Sequence, residues 1–339
     1  MLPRSSEGLP GTGGRLALAS AEEVLAKQPA DTGDYMWVKV HKDSGLGTTQ
    51  VRQALARAVN IPVELVADAG NRDRQGSFVQ WFSLPMEPIE NPGPIKRAGV
   101  HGKMRVLEVT YSHKPFCAAF VERVRWKIKL AHANREDGYQ KAKAILDHLR
   151  VNGVPNYVAQ SRLGPDGQWA RWGKLLLRGE RLPAKVSRGG ETTPGTCLRA
   201  VQDWLFNRWV ANRVNDGLLA RSLVGDRLRS RLGTEELVVD TAHADKRIAT
   251  WEATVLGPLI GLGMSPVGGD AEQRELALLA EAEIGAVDRL QGERRALRFQ
   301  PQKTVLDLER EDLLLTCEIP PEANMLGVVE EILKAPESA

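Results

Sequence analysis

Apolar and polar residues alternate along Met36-Trp37-Val38-Lys39-Val40-His41, and a period of two predicts a half-buried strand. The run Ser77-Phe78-Val79-Gln80-Trp81-Phe82-Ser83-Leu84 is apolar or aromatic enough to read as a buried strand. Between them the period changes. Val51, Leu55 and Val59 fall four apart with Ala54 and Ala58 beside them, a helix that Thr49 can cap and that packs on the sheet. Ile61-Pro62 then leads through Val63, Leu65 and Val66 to a glycine-bracketed turn before the buried strand. A proline-bearing link from Pro85 to Pro94 precedes a further strand, Met104 to Tyr111.

The clearest alternation is Arg123-Val124-Arg125-Trp126-Lys127-Ile128-Lys129-Leu130, which puts four cations on one face and four apolar side chains on the other. The cations read as the solvated outer face of an amphipathic strand. Arg135 to Arg150 reads as a helix with Ala142, Ile145, Leu146 and Leu149 on one side and Gly153 as its stop. Gly164-Pro165-Asp166-Gly167 is a turn. Downstream, Leu198, Val201, Leu205 and Trp209 trace a helix ended by Gly217, and Asp270 caps another lined by Leu276, Leu279, Val287 and Leu290. Trp204, Phe206 and Trp209 read as core at helical spacing. Arg221, Arg227, Arg229 and Arg231 form a basic cluster, a solvated helix face or a phosphate track. Two strand-like runs, Thr304 to Leu308 and Leu313 to Ile319, precede a helix from about Ala323 to Leu333.

With 339 residues the chain can build one large or two medium domains, each burying its own core. A net charge of +3 is mild, so any RNA-binding surface must come from local clustering. Cys117, Cys197 and Cys317 lie far apart with no CxxC and no His at ligand spacing, which argues against a zinc site or disulfide framework. No apolar run reaches membrane-spanning length, and the Met1–Ser6 start lacks a signal-peptide core, so a cytoplasmic protein is expected. Gly11-Thr12-Gly13-Gly14 lacks the Gly-Lys-Ser/Thr ending of a phosphate loop and reads as a flexible entry.

Candidate chemistry concentrates in Asp68-Ala69-Gly70-Asn71-Arg72-Asp73-Arg74-Gln75-Gly76. A single carboxylate stands between two arginines, inside a turn that opens onto a rigid strand. Asp73 is either an ordinary turn residue or a functional acid that Arg72 and Arg74 keep ionised while their other hydrogen bonds take phosphates. Composition does not separate the two.

The segment resembles the signature of the TruD-type tRNA pseudouridine synthases: an Ala-Gly, a basic residue, the catalytic Asp, another basic residue, then a Gln-Trp strand. Ala69-Gly70, Arg72-Asp73-Arg74 and Gln80-Trp81-Phe82 fill those places. A second match lies at Gly153-Val154-Pro155-Asn156-Tyr157, with Arg162 and Gly164 after it. Ala21-Glu22-Glu23-Val24 and Gly33-Asp34 resemble the family's opening, with Glu23 in the place of its Glu, and Arg294-Arg295 and the turn Gly257-Pro258-Leu259 also have counterparts. Several places depart. The Pro-Glu-Asp-Phe stretch expected near the start is missing, Val124 stands where an Asn would hold the target base, and Val158-Ala159 and Ser161 replace Phe-Gly and Gln. Asn324 replaces an aromatic after Pro321-Glu322.

The resemblance implies an α+β fold: a mixed, largely antiparallel pseudouridine-synthase sheet flanked by helices, with an inserted, mostly helical second domain. The catalytic domain would be discontinuous, residues 1–151 and 292–339, and the insert would span residues 152–291, the two clasping RNA between them. It also implies a tRNA partner, no membrane, no metal, no cofactor, and conversion of a uridine at position 13 to pseudouridine. Asp73 would be the essential carboxylate, as nucleophile or as base. Arg72, Arg74, Glu23 and Arg295 would assist in holding RNA, and Trp126 would supply a π-face to a base drawn out of its stack. Oligomeric state is open, a monomer being the simplest expectation. Two other readings are an RNA-binding or tRNA-chaperone protein of this fold with weak or no isomerase activity, motivated by the departures, and an enzyme acting on a small acidic substrate.

Overall fold

The period-two runs become strands of one sheet in the computed structural model, which describes residues 15–27, 32–70, 76–134, 137–182, 192–284 and 289–333. The glycine-rich entry at 8–14, the Asp73 segment at 71–75, Arg135 and Val287 lie outside the described residues. In chain order come β1 (Arg15–Leu25), β2 (Tyr35–Lys42), α1 (Thr48–Ala58), β3 (Ala67–Asp68), β4 (Ser77–Pro85), β5 (Met104–Ser112), β6 (Val121–Ala131) and α2 (Gly138–Asn152). Next are β7 (Val154–Pro155), α3 (Gln168–Leu177), α4 (Pro194–Asn215), β8 (Arg227–Ser230), β9 (Glu235–Leu237), α5 (Thr241–Ala249), β10 (Ala253–Leu259) and α6 (Gly269–Glu281). The chain closes with β11 (Glu293–Ala296), β12 (Arg298–Phe299), β13 (Gln302–Glu309), β14 (Asp312–Ile319) and α7 (Met325–Leu333). The fold is α+β, with a mixed, largely antiparallel main sheet. The residues divide into two compact units, one within Thr12–Lys143 and Pro301–Glu322, the other within Ala144–Gln300 and Ala323–Lys334.

The first unit is built on an eight-stranded sheet ordered β13-β14-β6-β1-β4-β2-β5, with β3 added to β4. β1 and β4 run parallel, and every other pair is antiparallel. β1, which carries the acidic pair Glu22-Glu23, has no clean alternation and was not legible as a strand. α1 lays Val51, Ala54 and Leu55 on Met36, Val38, Val40 and Phe82. Val51 and Leu55, both fully buried, each contribute about 1.5–3 kcal/mol of transfer free energy. The helix begins one residue before the expected cap. Gly47 is the N-cap, and its amide donates to Gln50 Oε1 at 3.0 Å, while Thr48 enters the first turn.

The second unit pairs its helices with a four-stranded antiparallel sheet, β11-β10-β8-β9, and a short β12-β7 ladder. α4 supplies Val201, Leu205, Phe206 and Trp209 to the core, as the helical spacing predicts, and ends before Gly217. Three expectations are corrected. The arginine run 227–231 begins on strand β8 rather than a helix, with Leu228 buried between Arg227 and Arg229, because the true period there is two. Gly257-Pro258-Leu259 is the end of strand β10, not a turn. α6 is capped at Gly268, with Asp270 in its first turn, and stops at Glu281, so Leu290 joins the core from beyond the helix. Glu283, at φ +55, turns the chain there.

Candidate active site

The Asp73 segment spans residues 71–75, so its frame is what the structure describes. Gly70 and Gly76 flank it with φ of +108° and +98°, a region that side-chain-bearing residues rarely adopt. Asp68 Oδ1 accepts the Gly70 amide at 2.6 Å, and Arg52 lies 3.6 Å from the other carboxylate oxygen. Gln80 Nε2 reaches the Gly70 carbonyl at 3.5 Å, while Gln80 Oε1 accepts from the Thr48 hydroxyl at 3.2 Å. On the far side the Gly76 amide donates to Ser44 Oγ at 3.3 Å. A Cβ at Gly76 would stand 3.2 Å from the Ala19 carbonyl oxygen, whereas one at Gly70 would meet nothing within 4 Å. Both ends of a short segment are thus tied to β4, to the start of α1 and to the loop before it.

Strand register sets out the floor beside this frame. Lys42 opposes Phe78, Phe78 opposes Ala21, and Ala21 opposes Trp126, so one row crosses β2, β4, β1 and β6 on a single face. The neighbouring row carries Val40 opposite Gln80, and Glu23 opposite Val124. Glu23, Lys42 and Gln80 on the sheet and Thr48 at the start of α1 are all buried, an unusual set of polar side chains. Burial of such groups costs several kcal/mol unless they are bonded. Glu23 Oε2 accepts the Trp81 amide at 2.9 Å, and Lys42 Nζ donates to the Leu46 carbonyl at 2.9 Å while lying 4.8 Å from the Phe78 ring centre. Phe78 meets Trp126 edge-on, centroids 5.7 Å apart at 82°. Trp126 Nε1 is buried with no hydrogen-bond partner among the described residues. A polar floor with an aromatic wall is suited to a flat polar ring.

The outer face of β6 is occupied by ion pairs. Arg125 reaches Glu318 at 2.6 Å and Glu22 at 3.9 Å, and Lys129 lies 2.9 Å from both Glu309 and Asp312. Burial pushes the Glu318 carboxyl up, but hydrogen bonds from Arg125 and Lys303 outweigh it and hold the group below its usual value. Arg125 and Lys129 serve the sheet. Val124, where a base-holding Asn was expected, is buried in the core with Ala21 and Trp81.

Two further residues singled out in the sequence lie in the second unit. Arg295 Nη2 donates to Asn156 Oδ1 at 2.8 Å, and its guanidinium sits 5.4 Å from the Phe206 ring centre. Asn156 in turn donates to the Ala296 carbonyl, so Gly153–Tyr157 is fastened to β11 and β12. Asn324 Oδ1 accepts the Leu326 amide at 3.1 Å and caps α7, a polar role that its aromatic counterpart could not fill.

The structure thus gathers Glu23 and Trp126 on one face of the main sheet, and places Arg295 in the other unit. Arg72, Asp73 and Arg74 are outside the described residues. Sequence reading missed Lys42, Thr48 and Gln80 as buried polar groups. A signal existed for the first: Lys42 continues the inward phase of Met36, Val38 and Val40. No group of three or more His, Cys, Asp or Glu side chains able to hold a metal occurs among the described residues, and no described helix is long and apolar enough to cross a membrane.

The profile of the family "tRNA pseudouridine synthase D (TruD)" matches residues 7–185 and 197–322. A protein named tRNA pseudouridine synthase D from Anaeromyxobacter dehalogenans is 30% identical over 347 residues, covering 98% of this chain and 97% of the relative. One of the same name from Pseudomonas putida is 30% identical over 327 residues, covering 91% and 89%. A crystal structure from Methanosarcina mazei assigned to tRNA pseudouridine synthase D superposes with a TM-score of 0.71 at 15% identity, over 98% of this chain and 96% of that one. Since the profile spans both units and the relatives align over nearly their whole length, the chain belongs to the tRNA pseudouridine synthase D family.

Proposed function

We propose that this chain is a tRNA pseudouridine synthase that isomerises the uridine at position 13, with Asp73 as its essential carboxylate. The observation that carries the reading is the frame around 71–75: two positive-φ glycines held by Asp68, Gln80 and Ser44 beside buried Glu23, Lys42 and Gln80 and the Trp126 ring. In the reaction the bond from N1 of uracil to C1′ of the ribose breaks, the base turns, and a bond forms from C5 to C1′. The C5 proton is lost and N1 gains one, so the product is an isomer and the step needs neither cofactor nor metal. Asp73 acts on the sugar or base as nucleophile, or removes a ribose proton as base. Arg72 and Arg74, its chain neighbours, favour the ionised form and offer their remaining donors to phosphates.

The uridine must first leave its stack, at a cost of a few kcal/mol offset by contacts in the pocket. Trp126 provides an aromatic edge beside Phe78, and Glu23 and Gln80 provide polar groups on the same face. Catalysis is assigned to the unit of the eight-stranded sheet. The helical unit, with Arg295 and the basic strand β8, is assigned to RNA holding, and the enzyme works as a monomer with its tRNA in the cytoplasm.

The test is to incubate purified protein with unmodified tRNA transcript and map pseudouridine by carbodiimide primer extension. A single stop at position 13, absent from a transcript carrying cytidine there, is the expected result. A protein that binds tRNA and yields no product would instead be the RNA chaperone of the alternative reading.

A further inference from the structure

A cavity of about 720 Å³ opens between α3 and α4 in the second unit, lined among others by Gln160, Arg171, Lys174, Trp204, Arg208 and Asn212. Its walls stand close because α3 meets α4 at Gly173, where a Cβ would fall 2.1 Å from the Cys197 carbonyl oxygen. Inside it Lys174 Nζ lies 3.6 Å from the centre of the Trp204 ring, and the Arg208 guanidinium 5.4 Å from the same ring. Arg208 is paired with Glu281. Lys174 and Arg171, one turn apart on α3, make no ion pair among the described residues, and Asp166 is the one carboxylate in the lining. Burial, then the charges of Arg178 and Arg208, push the Lys174 ammonium below its usual value.

Lys174 over the Trp204 ring and Arg171 beside it have no ion-pair partner among the described residues, a charge that an anion entering this recess would balance. Gln160 and Asn212 add amides able to bond ribose hydroxyls or a base edge. We propose that this cavity is a second RNA subsite, taking a backbone phosphate and its nucleoside from the bound tRNA onto Arg171, Lys174 and Trp204. The proposal rests on the tRNA-modifying reading above. Its readout is affinity rather than turnover, so the two fail separately: lack of product from the wild type would sink the enzymatic reading while the affinities still decide this one.

The experiment measures unmodified tRNA binding by fluorescence anisotropy across a salt series, using the full chain. Arg171→Gln/Lys174→Gln is expected to raise Kd about tenfold and to flatten the log Kd against log salt slope by roughly 1–2, as loss of one or two phosphate contacts requires. Arg150→Gln/Lys246→Gln, which removes two exposed cations elsewhere in this unit, is the control and is expected to leave the slope near wild type. Should the double variant melt early, Arg171→Gln alone, at an exposed position, carries the smaller version of the same change. Unchanged Kd and slope, or an equal change in the control, would overturn the proposal. So would binding of free uridine monophosphate that the double variant loses while its tRNA affinity stays intact, since the cavity would then serve a free nucleotide.

Discussion

Gly76 offers the sharpest test of whether the Asp73 segment is held in place by its ends. At φ +98° a residue with a side chain carries about 1–3 kcal/mol of backbone strain. At this position the added Cβ also meets the Ala19 carbonyl oxygen at 3.2 Å, so position 76 or β1 must give by a few tenths of an ångström. Displacement of a catalytic group by about 1 Å lowers rate on the order of 100-fold. Gly76→Ala is therefore expected to lose about 1–3 kcal/mol of stability if the segment stays, or 10- to 100-fold in single-turnover rate if it moves. Gly70→Ala provides the comparison: φ is +108°, yet its Cβ meets nothing within 4 Å, so strain arises without a push. Its rate should fall less than that of Gly76→Ala. The assay is single-turnover pseudouridine formation with enzyme in excess, run beside urea unfolding. A Gly76→Ala protein with wild-type rate and wild-type stability would refute the reasoning.

Other consequences follow from the buried charges and thiols. Asp226 accepts from Arg213 Nη1 and Nη2, at 3.1 and 2.8 Å, with both side chains almost wholly buried, so Asp226→Asn should cost about 3–5 kcal/mol by urea unfolding. Arg213→Met/Asp226→Leu should recover most of that loss, because no charge is left unpaired. Glu318 has a folded pKa held below its unfolded value of 4.5, so its stabilisation is complete above that pH and is lost as pH falls through the lower folded value. Urea midpoints should drop over that acid window, and Glu318→Gln should flatten the drop; an unaltered acid limb would contradict the pairing with Arg125 and Lys303. Cys317 is pushed up to about 12 by burial and Cys197 is raised as well, while Cys117 is exposed. A disulfide reagent should titrate a single thiol in the native protein and three after denaturation; a fast second thiol would show that a core is open.

Much of the main sheet was legible because its strands keep strict phase. β2, β4, β6 and β14 appear within a few residues of their predicted runs, since burial of one face makes a period of two visible. β1 was not, because its inward positions include Ala21 and the buried acid Glu23, whose reason for burial is a backbone amide on a strand distant in sequence. The β8-β10 sheet was hidden for a related reason. Arg227 and Arg229 look like a surface helix until the Pro266 carbonyl and Glu235 that bind them are known. The Asp73 segment could be singled out from glycines and charges alone. Gln80, which reaches the Gly70 carbonyl, stands in the Gln-Trp place of the family signature, whereas Ser44 and Thr48 carry no local signature and only tertiary pairing shows their part.

Single-turnover conversion by Asp73→Asn, measured beside its tRNA affinity, bears most directly on the central assignment. The account predicts one pseudouridine per tRNA for the wild type and none for the variant, with Kd for tRNA within about twofold, since the carboxylate reacts rather than anchors. Equal product from both proteins would contradict it, and the framed segment would then be a turn and nothing more.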